Sequence, residues 1–384
     1  MLALINGNIY TGDGRVVVGG TVLIEGEKIK AVGKRLRIPE GAEIVDLAGK
    51  NVYPGLIDAH CHAGLLEEIY RVEGDDLNEA TDPITPHLRV IDGVNPEDLA
   101  FADALKAGVT AVCVLPGSAN VVGGQGAVLR THGRTVEEML VKHPAGLKAA
   151  FGENPKRIHG GKNRMPATRM ATAALLRELL VRAENYRRKK NKEKDLRLEA
   201  LQPVLEGEIP LRVHAHRADD IMTAVRIGEE FGLKLVIEHG TEAHKIAPLL
   251  AEKNVPVVVG PVLVNRAKVE MKDLTPATAA VLWQAGVKFA FMTDHPVVPV
   301  HYLPLAAALA CRAGLPEEAA LAALTKNAAE ILGIEQETGT LAPGKAADLV
   351  ITSGNIFDLK TKIDAVYLRG KQVFAAKNDE KGRN

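Results

Sequence analysis

The stretch PGLIDAHCH, residues 54–62, says more about the fold than any other part of the sequence. Its apolar residues are typical of a buried strand, and two histidines follow at alternate positions near its end. Because alternate side chains of a strand share one face, His60 and His62 are expected to point the same way. Paired imidazoles at a strand end are typical of a metal site, but they can also be two polar strand residues without a ligand. Further ligands at later strand ends would decide between these interpretations.

The composition argues against several classes of function. The sequence has 48 basic and 48 acidic residues among 384, which predicts neither a nucleic-acid partner nor a membrane partner. Its three cysteines, Cys61, Cys113 and Cys311, are far apart and odd in number, so they predict no disulfide framework. Residues 1–7 lack the basic and apolar regions of a signal peptide, and no apolar run approaches the roughly 20 residues of a membrane span. We therefore expect a cytoplasmic protein that acts on a small-molecule substrate.

Residues 53–338 alternate strand-like and helix-like segments, which is the pattern of a parallel sheet with crossover helices. The strand-like runs are residues 56–58, 110–115, 127–131, 147–151, 211–214, 235–238, 255–259 and 289–292. The third run is the least regular, because the glycines within residues 123–126 and Gly133 could make it a loop instead of a strand. Eight such strands close a barrel, so we predict an α/β fold with a (β/α)8 TIM barrel as its large domain.

The two ends of the chain predict a second, smaller domain. Residues 1–52 and 339–384 contain short β-rich runs separated by turns such as Asn6-Gly7 and Glu25-Gly26. Short strands need a partner sheet to bury one face, so we predict a small β-sandwich domain built from both chain termini. The polar residues 377–384 are expected to fray.

The predicted helices have recognisable ends. One helix should span residues 218–231 and stop at Gly232. Another should begin near Thr168, inside an unusually long connection over residues 154–210, and should continue into a basic run at residues 187–192. Such a run can bind an anion, but a solvated helix end is the simpler interpretation.

The ends of the later strand-like runs supply the further ligands. The fifth run ends in His214 and His216, the sixth in His239, and the eighth in Asp294. In a TIM barrel the carboxyl ends of the strands meet at one face, so these side chains should lie together with the first histidine pair. Imidazole nitrogens and a carboxylate are ligands that Zn²⁺ and similar ions prefer. We therefore predict a metal site at this face of the barrel.

On these residues the chain resembles the amidohydrolase superfamily, among the relatives of imidazolonepropionase, isoaspartyl dipeptidase and dihydroorotase. The resemblance covers residues 54–62, the strand-end residues above, and the segment GTLAPGKAADLV at residues 339–350, which is similar to the family's return into its β-sandwich. It implies a metal-dependent hydrolase that cleaves a carbon–nitrogen bond in an amide, a cyclic amide or a peptide-like substrate. It also implies a homo-oligomer.

The resemblance assigns ligands to particular positions. His60 and His62 match the ligands of the more buried ion, His214 and His239 match those of a second ion, and Asp294 matches the aspartate of the eighth strand. The cofactor is expected to be one or two divalent ions, most often zinc in this family, with manganese or nickel as alternatives.

Binuclear relatives also use a bridging carboxylate on the fourth strand. Lys148 occupies the matching strand and would bridge after N-carboxylation by CO₂; a charged lysine among the apolar neighbours there would be costly. Glu153, shortly after that strand, is the rival, since some relatives use a glutamate. We favour Lys148, and the site is mononuclear if neither residue bridges.

The mechanism implied by the resemblance is attack of metal-bound hydroxide on a polarised carbonyl, with Asp294 as the general base and then the general acid. The alternative for Asp294 is a helix N-cap ahead of His295-Pro296. Two other functions stay open: deamination of a heterocyclic amine, for which the sequence lacks the usual acid–base pattern near the fifth strand, and a non-catalytic barrel scaffold, which would have lost ligands.

The substrate contacts are predicted from residue type and position in the loops. The candidates are Asn120, Arg157, Arg169 and His216. The two arginines could hold a substrate carboxylate bidentately, or could equally brace a loop. His214 and His216 share a strand face, so their roles as ligand and as substrate contact can be exchanged.

Overall fold

The computed structural model describes residues 1–69 and 73–376, so the predicted frayed segment 377–384 lies outside the described residues. The described strands are β1 (Leu2–Tyr10), β2 (Val16–Glu25), β3 (Lys28–Gly33), β4 (Glu43–Asp46), β5 (Asn51–Pro54), β6 (Leu56–Cys61), β7 (Val109–Val114), β8 (Val122–Arg130), β9 (Leu140–Ala150), β10 (Leu211–Ala215), β11 (Leu235–His239), β12 (Val257–Val259), β13 (Phe289–Phe291), β14 (Leu349–Thr352), β15 (Ile363–Leu368) and β16 (Lys371–Ala375).

The described α-helices are α1 (Leu99–Lys106), α2 (Val136–Met139), α3 (Glu153–Gly160), α4 (Arg169–Arg188), α5 (Leu196–Glu199), α6 (Gln202–Leu205), α7 (Ala218–Phe231), α8 (Ala247–Glu252), α9 (Thr278–Gln284), α10 (Leu303–Arg312), α11 (Glu317–Leu324) and α12 (Lys326–Leu332). As predicted, α4 begins directly after Thr168, whose side chain accepts the Ala171 N–H at 3.1 Å. As predicted also, α7 ends at Gly232, which adopts a left-handed conformation. Within residues 1–69 and 73–376, no helix has the length and apolar character needed to cross a membrane.

The two ends of the chain form one sheet. Its strand order is β16-β15-β14-β5-β1-β2-β3, and β4 pairs with β1. β14 pairs antiparallel with β5, so the C-terminal strands extend the N-terminal ones. Leu4, Ile9, Val22, Leu349 and Ile351 pack in a shared buried core. The predicted small β-domain built from both termini is therefore confirmed.

The second sheet is the barrel, with the order β6-β7-β8-β9-β10-β11-β12-β13. Its two outer strands meet at their carboxyl ends, where Asp294 N donates to His60 O at 3.2 Å and His62 N donates to His295 O at 2.9 Å. Gly55 alone separates this sheet from β5, and a side chain at Gly55 would collide with Thr110. The predicted TIM barrel is confirmed.

The third barrel strand departs from the ideal pattern. β8 runs antiparallel to both β7 and β9, whereas the other neighbouring pairs of this sheet run parallel. A parallel crossover needs a dozen or more residues, and only residues 115–121 connect β7 to β8. The chain therefore turns back before and after β8, and two of the regular parallel crossovers of the barrel are replaced by antiparallel connections.

Candidate functional site

Five predicted side chains meet at the carboxyl ends of β6, β10, β11 and β13. Asp294 Oδ1 lies 3.5 Å from His60 Nε2 and 3.1 Å from His62 Nε2. The His239 ring centre is 5.3 Å from that of His60 and 4.3 Å from that of His214. The strand ends therefore bring the predicted metal ligands into one cluster.

Hydrogen bonds on the far side of the rings orient the first histidine pair. His60 Nδ1 lies 2.8 Å from Glu238 Oε2, and His62 Nδ1 lies 2.7 Å from Leu115 O. Each Nδ1 is thereby occupied, which directs each Nε2 towards Asp294. Ligating histidines are commonly oriented by such outer partners.

A buried ion pair between Arg212 and Glu238 supports the position of His60. Glu238 and Arg212 are joined at 2.8 Å, and neither side chain is exposed. Arg212 Nη2 also donates to Ala59 O at 2.8 Å, one residue before His60. Burial raises the pKa of Glu238, but Arg212 opposes that effect by favouring the charged carboxylate. Arg212 therefore tethers both the partner of His60 and the strand that carries it.

Lys148 and Glu153 lie in different surroundings. Lys148 is buried on β9, and its Nζ is 3.2 Å from His60 Nε2, inside the cluster. Burial lowers the pKa of Lys148 to about 8. Glu153 is the first residue of α3, and its Oε1 accepts the backbone N–H of Glu270 at 3.1 Å. The structure thus brings Lys148 to the cluster and directs the Glu153 carboxylate towards the Glu270 backbone.

His214, His216 and His239 form a second group of histidines. Some of their ring nitrogens have no hydrogen-bond partner among the described residues. His216 Nδ1 bonds Thr241 Oγ1 at 2.8 Å and His239 Nδ1 bonds Gly260 O at 3.0 Å. Among the described residues, His214 has no partner for either ring nitrogen, and His216 has none for Nε2. Burial holds the pKa of His214 and His239 well below the usual range and lowers that of His216 to about 3. These rings are neutral near pH 7 and can offer lone pairs.

These donors fit a divalent cation. One group comprises His214, His216 and His239, and another comprises His60, His239 and Asp294; within each group the potential ligand atoms lie within 4.8 Å of one another. Buried, neutral imidazole nitrogens without a hydrogen-bond donor would be costly unless another group pairs with them. Nitrogen and carboxylate donors suit zinc and similar ions, so the chemistry of the site matches the predicted cofactor class.

Asp294 adopts an unusual backbone conformation. Its φ is +56°, in the left-handed region that non-glycine residues rarely occupy, and its N–H is held by His60 O. Burial raises the pKa of Asp294, but His239 and the hydrogen bond from His62 outweigh this, so the net pKa lies well below the usual range. The Asp294 side chain faces His60 and His62. The helical turn that follows spans Val300–Tyr302, and its N-cap residue is Pro299. The N-cap interpretation of Asp294 is therefore wrong.

A cleft of about 720 Å³ opens above the cluster. Its wall includes His62, Arg157, His214, His216, Lys268 and Asp294. Two of the four predicted substrate contacts, Arg157 and His216, therefore face the space in which a substrate would lie.

The other two predicted substrate contacts are engaged elsewhere. Arg169 Nε forms an ion pair with Asp220 Oδ1 at 2.9 Å. Asn120 is buried and contacts Glu79 O at 2.8 Å, Thr85 Oγ1 at 2.9 Å and His159 Nε2 at 2.9 Å. Among the described residues, neither Arg169 nor Asn120 lines the cleft. In this structure Arg169 joins α4 to α7, and Asn120 braces loops.

Sequence reasoning missed three buried residues near the cluster: Arg212, Glu238 and Glu270. Glu238 contacts His60 on another strand, and no local pattern in the sequence indicates a contact between residues so far apart in the chain. Glu270 follows β12 by eleven positions, in a loop without a recognisable period. Its neighbours gave no usable signal, because Val269 is exposed and only Met271 is buried.

Comparisons with known proteins agree with this picture. A model of the amidohydrolase family matches residues 199–374, and a model of the NagA composite domain matches residues 1–52. An amidohydrolase from Thermotoga maritima with a crystal structure is 49% identical in sequence to this chain. The two structures align with a TM-score of 0.95, and the alignment covers 98% of this chain and all of that one.

Two curated relatives are similar over most of this chain. Amidohydrolase tasK of Hapsidospora irregularis is 31% identical over 94% of this chain, which spans only 41% of that longer protein. An imidazolonepropionase of Pseudomonas fluorescens is 26% identical, with 87% of this chain and 88% of the relative covered.

Proposed function

The chain belongs to the amidohydrolase superfamily, with relatives among the imidazolonepropionases, and we propose that it is a metal-dependent hydrolase of a carbon–nitrogen bond. The substrate is an amide, a cyclic amide or a peptide-like compound. The observation that supports this most strongly is the meeting of neutral histidine nitrogens with the Asp294 carboxylate beneath an open cleft.

His60, His62, His214 and His239 would hold the cation, together with Asp294. A divalent cation held by these residues would make a water molecule acidic near neutral pH and would polarise a carbonyl. Asp294 accepts the proton of the attacking water; its Oδ1 lies 3.5 Å from His60 Nε2 and 3.1 Å from His62 Nε2, beside the proposed position of the cation. After attack on the carbonyl carbon, Asp294 delivers that proton to the leaving nitrogen, and the carbon–nitrogen bond breaks.

Lys148 is the proposed bridging residue, in its N-carboxylated form. Its Nζ lies inside the cluster beside His60, whereas the Glu153 carboxylate accepts a backbone N–H. The neutral amine of Lys148 would form a bond to CO₂ and release a proton, which gives an anionic carbamate. An unmodified, protonated Lys148 would instead repel the cations.

A crystal structure of the metal-loaded protein, grown with bicarbonate, tests the Lys148 proposal. We expect extra density continuous with Lys148 Nζ and in contact with two anomalous-scattering peaks. Unmodified Lys148 together with Glu153 turned towards both peaks would reverse the assignment. A single peak with neither residue in contact would make the site mononuclear.

Arg157 is the proposed contact for a substrate carboxylate. It is exposed and lies on the cleft wall, and a guanidinium recognises a carboxylate bidentately. Arg157→Met should raise KM about tenfold or more for substrates that carry a carboxylate, with little change in kcat, because a hydrogen bond to a charged group contributes roughly 1.5–3 kcal/mol.

Arg169→Met is the matched control for that experiment, because Arg169 is paired with Asp220 outside the cleft wall. Its steady-state KM should equal that of the unmodified protein. If KM rises in the Arg169→Met variant and stays constant in the Arg157→Met variant, Arg169 contacts the carboxylate and the proposed role of Arg157 is wrong.

A panel of N-acyl amino acids, dipeptides and cyclic amides, assayed with the metal-loaded protein, tests the proposed reaction. We expect release of an amine or opening of a ring with at least one class. Release of ammonia from heterocyclic amines alone would instead identify a deaminase, and turnover of neither group would favour the scaffold. A cytoplasmic location and self-association stay predictions.

A further inference from the structure

Glu270 is a buried carboxylate that the proposed mechanism does not use. It lies in the helical turn Val269–Met271, after β12, and its side chain is fully buried. Its Oε2 accepts the Glu153 N–H at 2.9 Å, while its own N–H donates to Glu153 Oε1 at 3.1 Å. This reciprocal pair of hydrogen bonds fixes the direction of the Glu270 side chain.

The other oxygen of Glu270 faces the second group of histidines. Oε1 is 3.7 Å from His216 Nε2 and 4.0 Å from His214 Nε2, and it has no hydrogen-bond partner among the described residues. Lys268 Nζ is 3.7 Å away, and that side chain is partly exposed. Ligands of a tetrahedral zinc ion, at bond lengths near 2.0–2.2 Å, lie about 3.4 Å apart. The distances from Glu270 Oε1 to His216 Nε2 and His214 Nε2, 3.7 Å and 4.0 Å, exceed this value by about 0.3 Å and about 0.6 Å.

Charge gives a second reason to connect Glu270 with these rings. His214, His216 and His239 are neutral donors and contribute no charge to balance a buried divalent ion, and the proposed Lys148 carboxylate would be shared with the ion beside His60 and His62. Asp294 is directed towards His60 and His62 instead. Glu270 is the nearest carboxylate that the structure shows beside both His214 and His216.

We propose that Glu270 is the carboxylate ligand of the cation held by His214, His216 and His239. The inference rests on the proposed metal-dependent function and adds His216 and Glu270 to the ligand set that the resemblance implies. Because the Lys268 side chain is partly exposed, its ammonium can turn to solvent and leave Glu270 Oε1 to the ion. Glu153 acts as a positioning residue, because its backbone N–H and carboxylate orient Glu270.

Glu270→Gln tests this proposal through metal binding rather than activity. Glutamine keeps the size of the side chain and an acceptor for the Glu153 N–H, but it loses the charge. We expect the zinc affinity of this cluster to fall at least tenfold, since changes to residues that merely support ligands already cost 10–100-fold. Zinc per chain is measured by inductively coupled plasma mass spectrometry, and affinity by chelator competition.

Glu242→Gln is the matched control. Glu242 is also buried and also accepts a backbone N–H, from Ala218 at 2.9 Å, but its other oxygen pairs with Lys245 at 2.8 Å. Its zinc content and affinity should equal those of the unmodified protein. If the Glu270→Gln variant binds zinc as tightly as the unmodified protein, the proposal for Glu270 is wrong. If the unmodified protein binds no metal, the proposed function itself is wrong.

An anomalous difference map of zinc-loaded crystals of the unmodified protein covers the case in which the variant does not fold. The proposal expects a peak about 2.0–2.2 Å from Glu270 Oε1. A peak bonded to His214 with Glu270 still directed towards Lys268 would contradict it.

Discussion

Replacing Asp294 by asparagine should lower turnover about 10²–10⁴-fold, the usual contribution of a positioned proton-transfer group. Asparagine keeps the shape and one oxygen, so the contact with His62, 3.1 Å in the native protein, can persist. It cannot accept the proton of the attacking water. Metal content, measured on the same samples, should stay at the level of the unmodified protein.

Asp219→Asn is the control for this prediction, because Asp219 is an exposed carboxylate at the start of α7 that pairs with Arg217. Its turnover should match that of the unmodified protein. If the Asp294 variant keeps full turnover, the proton passes through another group; if it loses metal together with turnover, Asp294 is mainly a ligand.

Replacing Arg212 by methionine should give the largest loss of stability, about 3–5 kcal/mol of unfolding free energy. The change would leave the Glu238 carboxylate buried without its cation, beside the ring of His60. It would also remove the hydrogen bond to Ala59 O. Thermal unfolding followed by circular dichroism checks the direction, and urea unfolding checks the magnitude.

The double variant Arg212→Met, Glu238→Gln separates charge from packing. Replacing both partners of a buried ion pair costs less than removing one, so the double variant should be more stable than the single one. A double variant that is less stable than the single would show that lost packing around Arg212, rather than the unpaired carboxylate, causes the effect.

The sequence was sufficient to predict which side chains meet at the ends of the strand-like runs. His60, His62, His239 and Asp294 stand directly at or after the ends of apolar runs, and parallel strands carry such residues to one face. The number of barrel strands was predicted correctly for the same reason. The direction of β8 was not, because alternation of side chains is the same in both directions, and the decisive information was the short connection of residues 115–121.

Contacts between segments far apart in the sequence were beyond sequence reasoning. Glu153 follows the fourth of the predicted strands and was a reasonable rival to Lys148, but its carboxylate accepts a hydrogen bond from Glu270, which is 117 residues away. Arg157 and Arg169 looked equivalent as residue types in one long loop. The presence of Asp220 beside Arg169 distinguishes them, and nothing local to either arginine encodes that contact.

The most direct test of the account is the turnover of chelator-stripped protein while zinc is added back. With a substrate found in the panel, the stripped protein should be inactive, and turnover should rise with bound zinc until the cluster of His60, His62, His214, His239 and Asp294 is filled. Turnover that persists without bound metal, or that does not return with zinc, manganese or nickel, would contradict the proposal that these residues form a hydrolytic metal centre.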